Sequence, residues 1–92
     1  MERYSLYRGE ERWGEVSVRR EGLYLRFEAV CPPAGKGVWR LFLQGEKGEL
    51  PLGVLVPEGG QLRLCRRLSC QEAESVGAFC RGEIRTGKMG GW

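Results

Sequence analysis

The chain contains no aspartate, no asparagine and no histidine, and it has one threonine (Thr86) and one isoleucine (Ile84). Without histidine, Ser–His–Asp and Cys–His relays and His-ligated metal sites cannot be assembled from this chain alone. Without aspartate, phosphoryl-transfer sites that hold magnesium on Asp, and calcium loops of the EF-hand type, are not expected. Without asparagine there is no N-glycosylation acceptor. Long apolar runs are missing too, so no segment is expected to span a bilayer. The opening Met1–Leu6 lacks the apolar stretch of a signal peptide. The expected location is therefore the cytoplasm.

What remains is an ordinary soluble composition in 92 residues, 41% hydrophobic and 29% charged, enough for one domain. All 12 acids are glutamate, 12 of the 15 bases are arginine, and the net charge is +3. That excess is small and spread over both halves, whereas a dedicated nucleic-acid binder usually concentrates its positive charge. The four cysteines (Cys31, Cys65, Cys70, Cys80) lack C-x-x-C spacing, so a zinc site is weakly signalled. Buried apolar filler is their expected role.

Fifteen glycines and four prolines cut the chain into short alternating segments. Residues 3–8, 13–20, 23–31, 38–44, 49–56, 61–68 and 78–85 read as strands. In 23–31, Leu23, Leu25, Phe27, Ala29 and Cys31 share one face, and Tyr24, Arg26, Glu28 and Val30 the other. In 49–56, Leu50, Leu52, Val54 and Val56 share a face, and Pro51 makes this an edge strand or delays its start. In 61–68, Arg63, Cys65 and Arg67 point outward, and Arg66 breaks the pattern near the strand end. Ser69 followed by Glu72 forms a capping box for a short helical turn near 70–76. Gly53 and Gly14 are expected where strands bend sharply. Trp13, Trp39, Phe27, Phe42 and the Leu/Val faces should supply the core. The expected fold is all-β, a small antiparallel barrel or two-layer sandwich of six to seven short strands. Residues 1–86 form the single domain and 87–92 a glycine-rich tail.

No acid–base constellation stands out, so the chain is not expected to be an enzyme, and no cofactor is implied. The outward row Tyr24 and Arg26, with Arg63 and Arg67 on a second strand, is the candidate binding face. It suits single-stranded nucleic acid in type, although Glu28 lies in the same row and Arg–Glu pairs stabilise sheets without any ligand. Apolar residues on both sheet faces instead favour an interaction or structural module, with a protein partner or a homodimer formed through a sheet edge or face.

The stretch LGVLVPEGGQLRLCRRLS (52–69), preceded by GLYLRFEAVCPP (22–33), resembles a family of short β-rich proteins from Gram-positive anaerobic bacteria. The likeness covers roughly residues 14–69. It implies no activity and no ligand residue. It marks the turn glycines and Pro57 as determinants of the fold.

Overall fold

The computed structural model describes residues 1–86, and the expected glycine-rich tail at 87–92 lies outside the described residues. Period-two alternation becomes eight strands: β1 (Glu2–Arg8), β2 (Glu11–Glu21), β3 (Tyr24–Cys31), β4 (Trp39–Gly45), β5 (Gly48–Val54), β6 (Val56–Glu58), β7 (Gln61–Ser69) and β8 (Phe79–Thr86). One helix, α1 (Cys70–Glu74), separates β7 from β8. Its start is capped as the sequence predicts, with the Glu72 amide donating to Ser69 Oγ at 3.1 Å. Among the described residues no helix is long and apolar enough to cross a membrane.

The strands form one sheet in the order β5-β4-β8-β1-β2-β3-β7-β6. Its two end strands, β5 and β6, are successive in the chain and joined by Leu55 alone. A sheet whose ends are covalently adjacent must curl until they meet, and the result is a nearly closed barrel. Leu55 points inward, 3% exposed, and its amide donates to the Trp39 carbonyl at 2.8 Å. Beyond that corner the seam between β5 and β7 is bridged by Arg66, whose Nη1 donates to the Leu52 carbonyl at 3.0 Å.

Leu6, Val16, Phe27, Cys31, Leu41, Leu43 and Leu52 fill the interior and are sealed from solvent. Each large apolar side chain buried this way contributes about 1.5–3 kcal/mol. Two bulges shape the wall. Leu6 faces Gly14 while Tyr7 faces Arg12, so Trp13 is the extra residue in β2. Leu41 faces Gly53 while Phe42 faces Pro51, so Leu52 is the extra residue in β5. Both glycines singled out in the sequence thus sit at bulges. Gly53 adopts a φ of 132°, which L side chains rarely accept.

Several expectations are corrected. The described residues form eight strands, because residues 49–56 do not keep one face. After Gly53 the chain turns Leu55 inward and leaves Val54 and Val56 exposed. The sheet is not wholly antiparallel, since β8 pairs with β1 in parallel at Leu6–Gly82 and Tyr7–Glu83. Leu23 lies in the β2–β3 turn and is 76% exposed rather than aligned with Leu25 and Phe27. Phe42 is on the outer wall under the Arg85 guanidinium, 4.5 Å from the ring centroid. Trp13 is half-buried, its indole donating to the Pro32 carbonyl at 2.9 Å. Arg66 lies within β7 rather than near its end. Of the cysteines only Cys31 is buried.

Candidate functional site

Register builds the outer face of β2, β3 and β7 row by row. Arg19 lies opposite Arg26, and Arg26 opposite Arg67, so three arginines stand side by side on neighbouring strands. With strands about 4.8 Å apart, the row spans about 10 Å. On one side lies the row Glu21, Tyr24, Ser69, and on the other Ser17, Glu28, Cys65. Beyond that comes Glu15, Val30, Arg63, with Val56 of β6 opposite Arg63.

The structure thus brings together three of the four predicted residues. Tyr24, Arg26 and Arg67 are immediate neighbours, and the Arg67 guanidinium lies 4.7 Å from the Tyr24 ring centroid. Arg63 stands apart, four residues from Arg67 on the same strand, or about 13 Å. It pairs with Glu58 at 3.8 Å. Arg19, which completes the arginine row, is not among the predicted residues. Its alternation is visible in the sequence, but only register places it beside Arg26.

Like charges directly opposite one another destabilise a sheet, and the glutamates offset this. Arg19 reaches Glu21 at 3.5 Å, Arg26 reaches Glu28 at 3.4 Å, and Arg3 and Arg12 both approach Glu15. Arg67 takes Tyr24 instead. Cys65 and then Glu28 raise the Arg26 pKa further above its ordinary range. These pairs are solvated, so each contributes little to stability.

Beside the arginine row the same face carries a depression. A groove of about 750 Å³ runs over β1, β2, β3, β7 and β6. Met1, Val30 and Val56 give it an apolar lining, while Arg3 and Arg63 on one hand and Glu15, Glu28 and Glu58 on the other line it with both charge signs. No sequence motif marks it, because its lining comes from five strands that only register brings together.

The hydroxyls of the described serines are engaged structurally. Ser5 Oγ accepts from Arg12, Ser17 donates to the Glu28 carbonyl, Ser69 caps α1, and Ser75 donates to the Glu72 carbonyl. Among the described residues no three Cys or Glu side chains gather as a metal ion would require. Burial pushes the Cys31 thiol up from its ordinary pKa, which keeps it protonated and unreactive. What this arrangement offers chemically is a wet, charge-balanced surface with an apolar strip. No family model, no curated protein and no solved structure matches the chain.

Proposed function

We propose that the chain is a non-enzymatic interaction module that pairs with a second copy of itself through the outer groove. The observation that carries this reading is the lining of the groove, apolar at Met1, Val30 and Val56 and carrying both charge signs around them. A two-fold contact sets one patch against itself, so it needs apolar area and both charges in the same patch. The sheet edges are less suited to the task. Both end strands carry a proline, Pro51 in β5 and Pro57 in β6, and proline cannot donate to an added strand. Light scattering across a concentration series tests the reading, with a mass moving from one chain towards two. Val56→Glu places a carboxylate opposite Arg63, which suits the single chain but breaks the apolar contact, so it should shift the balance to monomer. A wild-type chain that stays monomeric at every concentration refutes the reading.

A second reading rests on the row Arg19, Arg26, Arg67 with Tyr24 beside it. Arginines next to an exposed ring are how small barrels hold single-stranded nucleic acid. The glutamates paired to Arg19 and Arg26 weigh against it. A random single-stranded oligonucleotide should then bind with salt-sensitive affinity, and Arg67→Glu should abolish it. No binding at low salt excludes this reading.

A further inference from the structure

A second cavity lies at one end of the barrel, and among the described residues none lines both it and the outer groove. It exists because β1 and β8 pair only at Leu6–Gly82 and Tyr7–Glu83. Towards Tyr4 and Phe79 the two strands are no longer paired, and the wall opens. Helix α1 packs beside the opening through Ala73, and Val76 behind it is buried as well. The remaining space, about 300 Å³, is lined by Glu2, Tyr4, Leu25, Ala73, Glu74 and Phe79, with Arg20 also on its wall. That volume is at the lower end of what small-molecule sites use.

We propose that this mouth is a binding site for a small organic amine, a positively charged nitrogen on a short apolar or aromatic body.

Three features argue for that chemistry. The first is aromatic. Tyr4 and Phe79 meet edge to face at 5.9 Å and 88°, and Phe79 meets Phe27 at 5.9 Å and 68°, so the cavity continues the core's aromatic packing out to solvent. The second is charge. Among the described residues Glu2 and Glu74 both line the site, against the single cation Arg20, whose Nε is committed to the Gly22 carbonyl at 3.0 Å. Carboxylates beside aromatic rings favour a cation over its neutral analogue. The third is order. The Tyr4 phenol donates to Glu2 Oε1 at 2.6 Å, which fixes that carboxylate against the ring wall while its other oxygen remains to accept from a ligand. Leu25 and Ala73 then take the apolar body.

The test follows backbone amide chemical shifts of the whole chain during titration with 2-phenylethylamine, up to about 10 mM, a range that captures millimolar affinity. The expected result is saturable movement confined to residues around Tyr4, Leu25, Ala73 and Phe79. 2-Phenylethanol, which keeps the ring and loses the charge, should bind about tenfold more weakly, as should 2-phenylethylamine to the double variant Glu2→Gln, Glu74→Gln. In that variant the amide oxygen replacing the Glu2 carboxylate still accepts from the Tyr4 phenol. Both positions are exposed, and the variant's own spectrum reports that it is folded. Absence of saturation overturns the proposal. So does equal binding of amine and alcohol, or unchanged affinity in the double variant. None of these outcomes depends on whether the outer groove pairs two copies.

Discussion

Single residues set the tightest constraints in this barrel where backbones approach. A Cβ on Gly14 would lie 2.6 Å from both the Cys31 Cβ and the Val30 carbonyl oxygen, so β2 and β3 can meet at the Trp13 bulge only with glycine there. Gly14→Ala is expected to cost about 1–3 kcal/mol, read as a lower urea midpoint at unchanged slope. Tyr4 offers a second test. Burial, then the hydrogen bond and charge of Glu2, and then Cys80, push its phenol from 10.0 up to about 12. The folded chain therefore holds this proton after the unfolded chain has lost it. The resulting stabilisation is complete below pH 10 and is lost as the pH rises towards 12. An absorbance titration should show a phenolate step near pH 12 that Tyr4→Phe removes. The Gly14 contact is half legible in the sequence: a glycine within a strand suggests a bulge or close approach, but which atoms it approaches depends on a strand about 15 residues further along.

Strands and their edges show why alternation is readable and register is not. Side-chain period is a local property, so the expected boundaries 3–8, 13–20, 23–31, 38–44 and 61–68 lie within two residues of β1, β2, β3, β4 and β7. The period fails where a backbone irregularity changes phase. Leu55 turns inward beyond Gly53, and 49–56 divides into β5 and β6. The candidate face follows the same logic. Tyr24 and Arg26 share a row by alternation, whereas the meeting of Arg19, Arg26 and Arg67 needs three strands in register. The edge strands carry their own prediction. Pro51 and Pro57 deny a donor to any incoming strand. Replacing both with threonine should produce species larger than a dimer in sedimentation velocity, where the parent chain shows none.

For the whole molecule, β8 is the strand that joins two half-sheets. On one side it lies against β4, antiparallel from Trp39–Thr86 to Gly45–Phe79, and on the other it touches β1. Removing it leaves β5-β4 attached to β1-β2-β3-β7-β6 only through Leu55 and the Arg66 seam, with Leu6, Leu41 and Leu43 losing the strand beside them. A chain ending at residue 77 is therefore expected to lose cooperative urea unfolding altogether. This long-range closure is invisible in the sequence, because no local pattern says which strand the last one joins or in which direction. That direction has a mechanical meaning. Because β1 and β8 run parallel, the first residue of β1 and the last of β8 emerge at opposite ends of the barrel. Tension applied between Glu2 and Thr86 slides the two strands along each other instead of peeling them apart one bond at a time. Only the Leu6–Gly82 and Tyr7–Glu83 pairs resist that sliding between β1 and β8. The contact that completes the wall is thus also the clasp that load along the chain would strain first.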